Sequence, residues 1–174
     1  LGERVDALCG DELDDAWLTR SLEDVRVTAQ AYCAISEWHL GSESRALARI
    51  DDAVERAERL GHPYTSVFVD GFAACVAFLV GDSDAQRRHA LRGRAASDES
   101  GIALWSAIHR FMALCSEPAS ETDLPGLRAA FGEMARFGGL GGTFFVELLA
   151  ARELAAGYVE AAARLSLAGI ERAE

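Results

Sequence analysis

At 174 residues the chain is long enough to bury one well-filled core. Half of its residues are hydrophobic and only three are proline, which excludes a disordered segment. A formal charge of -11 at pH 7 repels phosphate backbones and anionic lipid, so direct nucleic-acid or membrane binding is not expected and the partner is a protein or a small molecule.

The chain opens Leu1-Gly2 with no methionine, basic leader or small-residue cleavage site, and is read as a piece of a larger protein. Residues 1–21, with "ERVDALCGDELDDAW", are expected to be the remnant of a preceding helical unit, broken at Gly10-Asp11. From residue 22 onward apolar positions recur at helical spacing. They predict helices near 22–40 and 42–60, 63–80 and 83–99, 102–115 and 123–137, and 143–156 and 158–172. In the second of these, Ala46, Leu47, Ile50, Val54, Ala57 and Leu60 form the apolar stripe, with Arg49, Asp51, Asp52, Glu55 and Glu58 opposite. Gly61-His62-Pro63 stops that helix and starts the next. Glycine takes the left-handed cap, and proline suits a first turn, where its missing N–H costs nothing. The apolar run Val67 to Val80 carries Asp70 and spans fourteen residues; a membrane crossing needs ~20, so a buried helix is expected. In the third pair "SEPASETDLP", Ser116 to Pro125, is a longer polar turn.

The breaks between these helices fall on a ladder. Gly41 and Gly81 are 40 residues apart, and so are the successive members of Gly61, Gly101 and Gly141. A fixed period of that size signals stacked helical hairpins. The expected fold is therefore all-α: a right-handed solenoid of about four antiparallel helix pairs with a period of about 40 residues over 22–174. One helix of each pair should line a groove, carrying Tyr32, Phe68, Phe72, Trp105, His109 and Phe145 to it.

"EWHLGSESRALARIDDAVERAERLGHPYTSVFV" resembles the tetratricopeptide-like helical region of large bacterial regulators, in which an ATPase module is joined to a LuxR-type DNA-binding domain or to a nucleotide cyclase. The likeness lies in Trp38 and Leu40-Gly41 closing one helix, Arg45-Ala46-Leu47 opening the next, Gly61-His62-Pro63-Tyr64, and Gly81-Asp82 followed by Arg87-Arg88-His89-Ala90. The departures are the polar helix that holds Gly93 and the irregular third turn. The resemblance implies a cytoplasmic, signal-responsive transcription regulator in which this piece is a non-catalytic sensor. It would bind a protein or small-molecule effector in its groove, with any DNA-binding domain lying outside it. The alternatives are a tetratricopeptide module that simply holds a partner protein, the regulatory region of a cyclase, and a helical enzyme with an anion site at Arg87–Arg94.

Few residues offer chemistry. Cys9, Cys33, Cys75 and Cys115 form no CxxC pair; Cys75 and Cys115 are 40 apart, hence equivalent positions in successive hairpins, and are expected to be buried core filler. His39, His62, His89 and His109 show no HExxH pattern, and no metal site is expected. Of the four, His109 is the one placed for a ligand-facing role, beside the structural alternative. "FGGLGGTFF", Phe137 to Phe145, has the glycine density of a phosphate loop but lacks its lysine, so it reads as a turn on the ladder. Arg87, Arg88, Arg92 and Arg94, with His89, make a basic segment in an acidic chain. Arg88 and Arg92, one helical turn apart, could hold an anion or simply pair with neighbouring carboxylates. Candidate ligand-binding residues are thus Arg88, Arg92, His109, Tyr32 and Phe72; no catalytic residue, metal or cofactor is expected.

Overall fold

The computed structural model describes residues 23–117, 123–137 and 142–173. Among them are eight helices and no strand: α1 Val25–His39, α2 Glu43–Leu60, α3 Pro63–Val80, α4 Ser83–Ser100, α5 Ala103–Cys115, α6 Leu124–Ala135, α7 Gly142–Ala155 and α8 Val159–Ala173. The expected 1–21 remnant, Gly141 and the middle of the Ser116–Pro125 turn lie outside the described residues.

Glycine ends these helices where the ladder predicts. Gly41, Gly61, Gly81 and Gly101 all have φ between +60° and +80°. At Gly61 the left-handed turn lets the N–H reach Ala57 O at 3.1 Å, a geometry that strains any residue with a Cβ. Starts are built as well. Asp24 and Asp82 accept from the backbone N–H of Val27 and Ala85. His62 caps α3 through Nδ1, which accepts from Thr65 N, with Pro63 in the first turn.

Helices adjacent in sequence pack on one another, and the first helices of successive pairs also touch, α1 on α3 and α3 on α5. Much of the seam is alanine. The buried face of α2 is Ala46, Ile50, Ala53 and Ala57, so Leu47, predicted for the core, is exposed and Ala53 replaces it. Small side chains at these positions let helix axes approach closely, and the larger leucine stays at the rim. Helix α3 is long and apolar enough to cross a bilayer. Its surroundings account for that apolarity: α1, α2, α4 and α5 all pack on it.

The polar helix α4 runs unbroken through Gly93. Its buried stripe is Gln86, Ala90, Gly93 and Ser97, and the polar members are satisfied: Gln86 Nε2 donates to Met112 O at 2.8 Å and Ser97 Oγ to Gly93 O at 2.6 Å. The glycine makes room for a ring. A Cβ at position 93 would lie 2.1 Å from His109 Cε1, and one at Gly71 would lie 2.4 Å from Trp105 Cζ3. Trp105 and His109, one turn apart on α5, thus sit in two glycine sockets, one on α3 and one on α4.

Three buried carboxylates are clamped by arginine. Asp24 receives Arg56 Nε and Nη2 at 2.9 and 3.0 Å; Asp70 receives Arg92 Nε and Nη2 at 2.9 and 2.7 Å; Glu153 receives Arg128 Nε and Nη2 at 2.6 and 2.7 Å. In each, the arginine comes from the second helix of a pair and the carboxylate from a first helix or its cap. Two-point contacts of this kind fix the rotation of one helix against the other as well as neutralising the charge. Burial pushes the Asp24 carboxyl up, but the Arg56 and Val27 hydrogen bonds outweigh it and hold the group below its usual range.

Candidate functional site

The first helices α1, α3, α5 and α7 each contribute one face to a common cavity of about 290 Å³. The faces follow from helical spacing: Tyr32, Ile35 and His39 on α1, Phe68, Phe72 and Cys75 on α3, Trp105 and Ile108 on α5, and Phe144 and Phe145 on α7. No carboxylate or guanidinium is among its described lining residues.

The rings hold one another. Phe68 stacks on Phe72 with centroids 4.7 Å apart, Tyr32 meets Phe72 edge-on at 4.8 Å, and Trp105 meets Phe68 edge-on at 5.5 Å. Pairs of this geometry contribute ~0.5–1.5 kcal/mol each beyond the area they bury. The wall is firm at its back and open at its lip: Trp105 is 7% exposed, whereas Tyr32 is 54% exposed. Its firmness comes from the sockets. The Cε3, Cζ3 and Cη2 edge of Trp105 abuts Gly71, and His109 lies behind it with ring centroids 5.9 Å apart.

That packing leaves two ring nitrogens without a partner among the described residues. Trp105 Nε1–H is buried and has no hydrogen-bond partner, a state that costs ~1–3 kcal/mol. His109 is served on one side only. Its Nε2–H donates to Val67 O at 3.1 Å, while Nδ1 has no partner. Burial depresses its pKa from 6.5 to about 4, outweighing the opposing pull of Asp70, so the ring is neutral near pH 7. It is fully buried and does not line the cavity. The ligand-facing reading of His109 is therefore corrected: the residue supports Trp105 from behind.

The arginine reading also divides. Arg92 donates to Asp70 and, through Nη1, to Glu58 at 2.7 Å, so its nitrogens join α4 to α2 and α3. Those hydrogen bonds, Asp70 first, raise its pKa further. His89 Nδ1 lies 2.9 Å from the same Asp70 carboxylate. Arg92 is a structural clamp rather than half of a vacant anion site, because Asp70 already occupies its fork. Arg88 is exposed and makes no ion pair with another described residue. The two arginines do not converge.

Tyr32 and Phe72 do converge, and with Phe68, Trp105 and Phe145 they meet where the sequence groups them. Cys115 is buried as expected. Cys75 is only partly buried, because it lines the cavity; its thiol is nonetheless desolvated, and burial pushes it up to about 12, with Cys115 adding to the effect. It is protonated near pH 7 and a poor nucleophile. Among the described residues the cysteines are free and no cluster of metal-binding side chains occurs. Sequence reasoning missed Ile35, His39, Gly71, Cys75, Ile108 and Phe144 as wall residues, although the i, i+3, i+7 spacing from Tyr32 and i, i+4, i+7 from Phe68 carried three of them.

No protein-family model, curated protein or solved structure matches the chain.

Proposed function

We propose that the chain is a non-catalytic sensor module, a short solenoid of tetratricopeptide-like helix pairs whose groove binds a small-molecule effector. The observation that carries the reading is the cavity itself: four first helices converge on six aromatic rings, with no carboxylate or guanidinium on the described wall. Stacked hairpins present their first helices along one concave side, and that side is where such arrays bind. The glycine ladder and the α1–α3–α5 contacts support the solenoid.

The sequence resemblance to tetratricopeptide-like regions of bacterial regulators supports reading the module as part of a cytoplasmic, signal-responsive transcription regulator of the LuxR type. A ligand then acts by binding one arrangement of the helix pairs better than another, and shifts the output by that difference in affinity. The net charge of -11 keeps the module itself off DNA.

Nile red, a neutral solvatochromic dye, tests the groove. Its emission should shift to the blue on titration with the wild-type protein. Cys75→Phe, which adds a ring to the cavity wall, should abolish the shift while circular dichroism stays helical. Equal dye binding by a folded Cys75→Phe protein sinks the groove as the binding site.

A further inference from the structure

The cavity has two unlike ends. Tyr32 and Phe68, with ring centroids 6.4 Å apart, belong to an aromatic end that Phe72 and Trp105 complete. Seven residues further along each helix, His39 on α1 and Cys75 on α3 line the same wall. That step is two helical turns, about 10 Å. Three ring-borne groups on the described wall are strong hydrogen-bonding groups: the Trp105 N–H, the Tyr32 hydroxyl and the His39 nitrogens. The first is buried beneath the surface of the wall and takes no part. The other two belong to exposed residues of α1. Of these, Tyr32 packs its ring edge-on to Phe72 within the aromatic end. The His39 ring stands apart from that cluster. It closes α1, Trp38 meets it edge-on with centroids 5.1 Å apart, and it makes no hydrogen bond or ion pair with a described residue.

Volume and charge narrow the occupant. About 290 Å³ lies at the small end of ligand pockets, room for one or two rings rather than an extended chain. Stacked and edge-on wall rings favour a flat aromatic body. A cationic head would find no carboxylate on the described wall. An anionic head at His39 would face the C-terminal end of α1, where the last carbonyls carry partial negative charge, in a chain of net charge -11. An unpaired charge is heavily penalised in such a site, so the head is neutral. A neutral imidazole offers one N–H donor and one bare nitrogen, and the tautomer decides which of them meets a ligand. A hydroxyl serves either, being donor and acceptor at once, whereas a carbonyl serves only the donor.

The geometry points to a neutral one- or two-ring aromatic alcohol as the occupant, its rings against Phe68 and Phe72 and its hydroxyl hydrogen-bonded to the His39 imidazole two turns along the groove. The inference rests on the groove reading above and adds to it the class and the orientation of the ligand. Burial of the rings supplies the affinity. The hydrogen bond at His39, made at the exposed end of the wall, supplies a preference of about fivefold over the bare hydrocarbon.

β-Naphthol and naphthalene separate the body from the head, since they share the rings and differ in the hydroxyl. Equilibrium dialysis of the whole chain should show binding of both, β-naphthol about fivefold tighter. His39→Phe, which keeps a ring in the wall and removes the nitrogens at an exposed position, should weaken β-naphthol about fivefold and naphthalene less than about twofold while circular dichroism stays helical. Tyr32→Phe should leave the ratio of the two affinities unchanged. In the wild-type protein, saturating β-naphthol should move the His39 ring-nitrogen resonances further than naphthalene does. Equal losses for both compounds in His39→Phe, a preference lost in Tyr32→Phe instead, or equal nitrogen shifts with the two compounds would overturn the His39 contact and leave the groove. Binding of neither compound by the folded wild-type chain overturns the groove and the inference with it. Tighter binding of β-naphthoate or of tetramethylammonium than of β-naphthol overturns the neutral class of ligand.

Discussion

Replacing Gly93 by alanine puts a methyl group where the His109 ring already is. The new Cβ would stand 2.1 Å from Cε1, 2.3 Å from Nε2 and 2.7 Å from Nδ1, so one side must retreat by more than 1 Å to reach an ordinary contact of 3.4 Å or more. The ring has little freedom to do so, being fully buried and tied to Val67 O at 3.1 Å. Overpacking of a filled core costs ~1–3 kcal/mol, and losing the Val67 hydrogen bond adds ~1 kcal/mol. Against this, alanine gains ~1 kcal/mol over glycine in a helix interior. The expected net effect is a loss of about 2 kcal/mol, or roughly 4–8 °C in Tm. Gly132→Ala is the control, since a Cβ there meets nothing within 4 Å, and it should stabilise by ~0.5–1 kcal/mol. Urea unfolding followed by circular dichroism measures both, and a double-mutant cycle with His109→Ala isolates the clash. If Gly93→Ala stabilises as Gly132→Ala does, or if the cycle is additive, the socket does not exist as described.

Stability should fall on mild acidification. The folded protein keeps His109 neutral down to about pH 4, whereas in the unfolded chain it titrates near 6.5, so between those values the unfolded state binds the extra proton and gains. The contribution is complete above pH 6.5 and gone near pH 4, about 3 kcal/mol in all; His109→Gln, which keeps a donor for Val67 O, should flatten that part of the unfolding free energy measured from pH 7 to 5. The neighbouring arginines should separate just as cleanly in urea melts. Arg92→Ala strands the buried Asp70 and should cost about 2 kcal/mol, while Arg88→Ala, at an exposed position, should stay within about 0.5 kcal/mol of wild type. Equal costs for the two would refute the clamp.

Glycine explains both what the sequence discloses and what it hides. At Gly41, Gly61, Gly81 and Gly101 it serves a local purpose, the left-handed end of a helix, and local purposes leave a local signature: an amphipathic run before, a cap or proline after. Hence the helix boundaries were legible to within a few residues. Gly71 and Gly93 serve partners far along the chain, Trp105 and His109, and nothing beside them announces it. The signal available was negative: a glycine inside a helical pattern costs ~1 kcal/mol and asks for a packing reason. Asp70 made the same kind of request, a charge inside an apolar run that needs a counter-ion, but only the folded arrangement of α3 beside α4 selects Arg92 over Arg88. The aromatic groove was more legible, because Tyr32, Phe68, Phe72 and Trp105 each lie on the face of a first helix that periodicity already turns inward.

The two glycine sockets also bear on how an occupied cavity could reach the rest of the module. Trp105 lines the cavity and rests on α3 at Gly71; His109, one turn later on the same helix, rests on α4 at Gly93 and is bonded to α3 at Val67. A helix carries both rings as one body, so any shift of Trp105 that improves its contact with a ligand moves His109 against a backbone surface with no slack. Such a contact has few intermediate positions, since close-packed interfaces respond by stepping between arrangements rather than by yielding continuously. Under the proposed sensor function, the α4–α5 seam is the element that would couple an occupied cavity to helix-pair geometry. The energy available to such a coupling is bounded by the difference in a ligand's affinity for the two arrangements.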